Sequence, residues 1–157
     1  MRRDELDQLL AQYRTGLDAE MLLLQQLSSL AERQRASTES RNFDRLSADS
    51  DHRDRVTRDL VALEDGLAEI RHRLATVKAQ AAPLPAYREI VDMRRQAAEL
   101  VSRVLAVDQE SLKSLADGEM ARRAAMASLE KGETTLAAYR KVLAPPADHA
   151  AIVDRRG

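Results

Sequence analysis

Residues 49–54 crowd the side chains most able to do chemistry into one short segment. The segment reads Asp49-Ser50-Asp51-His52-Arg53-Asp54, three carboxylates and one imidazole. Carboxylates at alternate positions are typical of calcium loops, but the central glycine and the distal glutamate of such a loop are missing. We therefore interpret the segment as a solvated polar face of a helix, and we predict no metal site here.

The other histidines lack the partners that catalysis requires. His72 stands in Glu69-Ile70-Arg71-His72-Arg73-Leu74, without the Lys-Gly that usually follows a phosphotransfer histidine. His149 has no cysteine or second histidine near it. Ser/His/Asp sets, Gly-rich phosphate loops and HExxH patterns do not occur, and the absence of cysteine removes disulfides, thiolate ligands and thiol nucleophiles. We predict a protein that is not an enzyme and needs no cofactor or metal.

Two polar residues interrupt apolar stripes and are predicted to meet. Asp108 lies in a gap of a stripe late in the chain, and Asp49 with Arg53 forms a similar gap earlier. Antiparallel packing could bring the two gaps together, and polar residues inside a helical seam commonly fix its register. We expect Arg53 and Asp108 to form a structural pair rather than a ligand site.

An apolar repeat with steps of three and four residues predicts an all-α fold. Such spacing places side chains on one narrow stripe of a helix, which needs partner helices. One stretch reads Phe43, Leu46, Val56, Leu60, Leu63, Leu67, Ile70, Leu74 and Val77. Aromatic residues make up only 3% of the 157 residues, which disfavours a β-sandwich. We expect coiled-coil-like seams in an antiparallel bundle of three long helices.

Charge and hydropathy exclude two classes of partner. The 25 basic and 26 acidic residues give a net charge of -1, and both signs are interspersed along the chain, so we expect no nucleic-acid surface. No apolar run approaches the roughly 18 residues of a membrane span. The composition is consistent with the cytoplasm, which is the predicted location.

The proline positions predict the domain boundaries. Pro83 and Pro85 separate the second helix from the third, and Pro145 and Pro146 end the helical domain. We predict helices at about residues 4–35, 42–78 and 86–143 in a single domain, residues 1–143, with Ser40 or Asn42 starting the second helix. We expect residues 144–157 to form a flexible tail that is rich in proline and charged residues. The third helix either projects or bends back as a fourth, with a break near Gly118 or Gly132.

The end of the third helix is the predicted partner-binding face. The first two helices are too short to cover all of its apolar stripe, and uncovered stripes commonly bind partners. The stripe contains Met120, Met126, Leu129, Leu136, Tyr139 and Leu143, and the tail adds Ile152 and Val153 as a short docking segment. The alternatives are that the stripe packs a fourth helix or a homodimer seam, and that the tail has no role.

The arrangement of leucines resembles that of FlgN-type flagellar export chaperones. The resemblance rests on Leu6-x3-Leu10 and Leu22-Leu23-Leu24-x2-Leu27, on Val104-x3-Asp108-x3-Leu112-x2-Leu115, and on the ending Ala138-Tyr139-Arg140 with its Pro-rich spacer and Ile152-Val153-Asp154-Arg155-Arg156-Gly157. It spans nearly the whole chain.

The resemblance implies a small cytoplasmic helical chaperone of bacterial flagellum assembly. Members of that family bind the C-terminal helical segments of hook-filament junction proteins before type III secretion, and their C-terminal part carries binding. Here the apolar stripe would receive an amphipathic client helix, and the tail could contact the client or the export apparatus. The competing hypothesis is a structural scaffold or homodimeric coiled-coil protein that has no client.

Overall fold

The chain folds into helices that pack against one another. A computed structural model describes residues 1–116 and 120–144, with side chains throughout except at positions 120–122 and 124. It contains α1 (Arg3–Glu39), α2 (Phe43–Thr76), α3 (Lys78–Ala81), α4 (Pro85–Leu115) and α5 (Met120–Leu143). The described residues contain no strand, so the prediction of an all-α chain is confirmed. None of the described helices is long and apolar enough to cross a membrane.

A tight turn reverses the chain between α1 and α2. Arg41 adopts a left-handed backbone with φ of 56°, and the Asn42 side chain caps α2 by accepting a hydrogen bond of 3.2 Å from the Arg45 N–H. Asn42 is thus one of the two predicted starts. α1 runs four residues beyond the predicted end, because Thr38 donates its hydroxyl to the Gln34 carbonyl inside the helix instead of capping α2.

The second connection is built around proline. α2 ends at Thr76, one turn of helix follows as α3, and Pro85 occupies the first turn of α4, where its missing N–H costs nothing. The predicted start of this helix near residue 86 agrees with the structure to within one residue.

Side-chain pairs give the direction of each helix relative to its neighbours. Arg14 pairs with Glu89 and Arg35 with Glu110, so α1 and α4 run the same way. α1 and α2 run in opposite directions, since Arg33 on α1 reaches Asp49 near the start of α2.

α5 lies back along α2 and α4 rather than projecting from the other helices. Gln109 on α4 donates to Glu133 on α5, and Arg94 reaches the last carbonyls of α5, which shows that α4 and α5 are antiparallel. α4 ends at Leu115 and α5 begins at Met120, while Gly132 lies inside α5 without a break. Gly118 itself falls outside the described residues.

The interior alternates between apolar and polar layers. Three apolar clusters succeed one another along the helices, represented by Leu10 with Ile90, by Leu27 with Val104, and by Leu46 with Leu115. Buried polar residues separate the clusters: Glu20 and Glu64 at one level, Gln34, Arg53 and Asp108 at the other. We call these the Glu20 layer (Glu20, Glu64, Arg71, Tyr139) and the Arg53 layer (Gln34, Ser50, Arg53, Asp108).

Candidate functional site

The Arg53 layer is a buried hydrogen-bond network that joins three helices. The side chains of Arg53 and Asp108 are 2% and 1% exposed. They form a bidentate ion pair, in which Nη1 and Nη2 of Arg53 donate to Oδ1 and Oδ2 of Asp108 at 2.6 and 2.5 Å. Gln34 accepts from Arg53 at 2.9 Å and donates to Ser50 at 3.0 Å. The predicted pairing of Arg53 with Asp108 is confirmed, and its fixed geometry supports the role of setting the register of the helices.

α5 covers the Arg53 layer with a glycine. A Cβ atom placed on Gly132 would lie 3.5 Å from the Nε atom of Arg53, so the α5 backbone passes directly over the guanidinium. That Nε and the buried Ser111 hydroxyl have no hydrogen-bond partner among the described residues. At this level α5 therefore closes the interior over polar groups without bonding to them.

Residues 49–54 do not converge on a metal site. Asp49 is buried and pairs with Arg33 at 2.9 Å, and Arg53 points into the interior, whereas Asp51, His52 and Asp54 are exposed. Within the described ranges no group of three or more His, Cys, Asp or Glu side chains is placed to hold a metal ion. The helical period separates the candidate ligands between interior and surface.

The Glu20 layer places two carboxyl groups together in the core. Glu20 on α1 is fully buried, and neither of its carboxyl oxygens has a hydrogen-bond partner among the described residues. Glu64 on α2 faces it and forms an ion pair with Arg71. Burial, followed by the neighbouring Glu64, raises the pKa of Glu20 to about 8. Glu20 therefore keeps its proton at neutral pH.

α5 contributes a tyrosine to the same layer. Tyr139 is 5% exposed, and its hydroxyl faces Glu20, although the geometry between them does not reach that of a hydrogen bond. Burial and the adjacent Glu20 raise the pKa of Tyr139. Sequence analysis missed Glu20, but its position gave a signal: it lies three residues after Leu17 and four before Leu24, on the apolar stripe of α1.

The predicted partner-binding stripe is covered in this structure. Leu129, Leu136, Tyr139 and Leu143 are at most 5% exposed, and Met126 is half-buried. The expectation that the stripe stays uncovered was wrong, because α5 packs back onto α2 and α4. The alternative of packing as a further helix describes the observed arrangement. The Met120 side chain, Ile152 and Val153 lie outside the described residues. Partner binding by any of these residues stays a prediction.

The remaining sequence candidates stand apart from both layers. His72 is exposed on α2, and His149 falls outside the described residues.

No family model, no curated protein and no solved structure matches this chain.

Proposed function

We propose that this protein is a cytoplasmic export chaperone of the FlgN type. It would bind the helical C-terminal segments of flagellar hook-filament junction proteins, prevent their premature assembly and deliver them to the type III export apparatus. The observation that supports this proposal most is that α5, an amphipathic helix, lies in a groove between α2 and α4 with its apolar stripe buried. The fold thus already accommodates one helix of the kind that a client would offer.

The contacts beneath α5 favour its release. At the Arg53 layer it covers the guanidinium with Gly132, and at the Glu20 layer the Tyr139 hydroxyl has no hydrogen-bond partner. Among the described side chains, its hydrogen bonds to α4 are either exposed, as between Gln109 and Glu133, or long, at 3.4 and 3.5 Å from Arg94 to the last two carbonyls of α5. Such bonds contribute little, since water can replace them.

Apolar burial is the main force that holds α5 in place. Fully burying each large apolar side chain contributes about 1.5–3 kcal/mol, so Leu129, Leu136, Tyr139 and Leu143 together matter far more than the peripheral hydrogen bonds. A client helix with a similar stripe would recover this burial when it pairs with α5. Release is then an exchange of one helix contact for another, and its net cost is the apolar surface of α2 and α4 that α5 leaves exposed.

This exchange gives a mechanism for the chaperone. The stripe of α5, with Met120 and Met126 at its start, binds the apolar face of the client helix and masks it from other copies of the client. Burial of about 1,600 Å² or less would suit a complex that must be released at the secretion gate. Binding of this kind uses no nucleotide and no metal.

Locking α5 onto α4 tests the proposal. Because the chain has no native cysteine, Gln109→Cys with Glu133→Cys can be joined by a short thiol-specific cross-linker across the α4–α5 contact. The matched control joins Arg14→Cys to Glu89→Cys, which ties α1 to α4 and leaves α5 free. Calorimetric titration would use the C-terminal helical segments of hook-filament junction proteins from the same genome.

The two cross-linked proteins are expected to differ. The α4–α5 cross-link abolishes binding, whereas the α1–α4 cross-link leaves one-to-one binding intact. Equal binding by both would contradict the role of α5. A stable homo-oligomer that binds no client in any form would instead favour the scaffold hypothesis.

A further inference from the structure

We propose that docking of the C-terminal half of α5 is linked to a single proton on Glu20, so that α5 docks more tightly when this carboxyl is neutral and opens more readily when it is ionised. This device goes beyond the proposed function, because it is a property of the chain alone and involves no client. It rests on four groups from three helices that meet in the Glu20 layer.

The surroundings of Glu20 can hold a neutral acid but not an isolated anion. Tyr13 comes from the same helix, Glu64 and Arg71 come from α2, and Tyr139 comes from α5. Arg71 is already paired with Glu64, and Arg94 on α4 lies near Tyr13. A neutral Glu20 can donate its proton toward the Glu64 carboxylate, whereas an ionised Glu20 places two like charges side by side in the core.

An ionised Glu20 is hydrated at the lowest cost when water enters beneath α5. The side chain is fully buried, and neither carboxyl oxygen has a hydrogen-bond partner among the described residues. The α1–α2 contact is long and extends over the cluster of Leu10 and the cluster of Leu27, on both sides of the Glu20 layer, whereas α5 crosses this level with Tyr139 and with the two long bonds from Arg94. Movement of the end of α5 therefore solvates Glu20 at the smallest loss of contacts.

The size of the effect follows from proton linkage. A carboxyl with a pKa of about 8 in the docked state, and of about 4.5 once α5 has moved, makes opening about thirty-fold more favourable at pH 9.0 than at pH 6.5. A lysine or arginine beside Glu20 would favour the ionised carboxyl in the docked state and so oppose opening at high pH, but Arg71 is already paired with Glu64.

Hydrogen exchange of the full chain measures the linkage directly. Amide exchange in residues 136–143, corrected for the intrinsic pH dependence of exchange, is compared at pH 6.5 and 9.0 by mass spectrometry. We expect protection to fall by about thirty-fold in the unmodified protein and to change little in Glu20→Gln, which keeps the shape of the side chain but cannot ionise. Glu99→Gln, at an exposed position on α4, is the matched control and keeps the pH dependence.

A second variant guards against a folding defect in Glu20→Gln. Tyr139→Phe removes the hydroxyl that faces Glu20, so the ionised carboxyl loses a potential donor and the pH dependence becomes steeper. The same protection ratio in the unmodified protein and in Glu20→Gln would overturn the proposal. A pH-dependent loss of protection spread equally over α1, α2, α4 and α5 would also overturn it, because it would reflect global unfolding rather than release of α5.

Discussion

Replacing Asp108 with alanine removes the carboxylate that binds the buried guanidinium of Arg53. Both side chains are at most 2% exposed, so water cannot take the place of the lost partner without opening the core. Removing one member of such a pair costs about 3–5 kcal/mol, a large part of the roughly 5–15 kcal/mol that keeps a domain folded. We expect Asp108→Ala to lower the free energy of unfolding by this amount, and charge reversal at Asp108 to lower it further.

Replacing both members tests the reasoning more sharply than either single change. The combination of Arg53→Met with Asp108→Leu removes both charges and restores apolar volume, leaving mainly the Gln34 oxygen without its donor at 2.9 Å. An orphaned buried acceptor costs about 1–3 kcal/mol. The double variant should therefore be more stable than Asp108→Ala. Its loss of free energy of unfolding should be much smaller than the sum of the losses in Arg53→Met and in Asp108→Leu measured separately.

Urea unfolding followed by circular dichroism supplies the free energies. The exposed Arg3–Asp7 pair, with side chains 65% and 52% exposed, provides the control, and Asp7→Ala should cost less than about 1 kcal/mol. A loss below about 1 kcal/mol for Asp108→Ala, or strict additivity in the double variant, would refute the view that this pair is a desolvated register-setting contact.

Three further substitutions and a pH series follow from the same packing. Gly66→Ala meets nothing within 4 Å and should stabilise the chain by up to about 1 kcal/mol, whereas the new Cβ of Gly16→Ala would collide with the Leu67 side chain and should destabilise it. Chemical denaturation compares the two variants. Asn42→Ala removes the cap of α2 and should lower the free energy of unfolding by about 0.5–2 kcal/mol in the same assay, and no loss would show that the cap is dispensable. Because folding raises the pKa of Glu20 from 4.5 to about 8, the folded state keeps a proton that the unfolded chain has lost in that window. Stability should therefore fall as pH rises through it, by at most about 1.4 kcal/mol per pH unit, and thermal midpoints of Glu20→Gln should lack this component.

Local signals in the sequence predicted the connections between helices well. Asn42 and Pro85 act through their own backbone and side-chain geometry, so their roles can be predicted without knowledge of the fold. The pairing of Arg53 with Asp108 was also predictable, since each interrupts an apolar stripe and antiparallel helices bring such gaps together. The predicted end of the first helix at about residue 35 fell short of Glu39, because a hydroxyl such as that of Thr38 can either cap a new helix or bond back within the old one.

Tertiary packing decided what the sequence left open. The apolar stripe of α5 is compatible both with a projecting helix and with one that lies along α2 and α4, and only the packing against those two helices distinguishes the arrangements. Glu20 was overlooked because Met21 beside it fits the stripe of α1 nearly as well, and only the facing Glu64 and Tyr139 reveal which of the two is fully buried. The environment of this buried acid is built by three helices together, so the apolar stripe of α1 alone does not reveal it.

In the proposed mechanism, α5 exchanges its own contacts for those of a client helix. Calorimetric titration of the full-length chain with the C-terminal helical segments of hook-filament junction proteins, with light scattering to report its oligomeric state, tests that claim most directly. A monomeric chain that binds one client segment is the predicted result. A stable homo-oligomer that releases no heat of binding with any such segment would contradict the account.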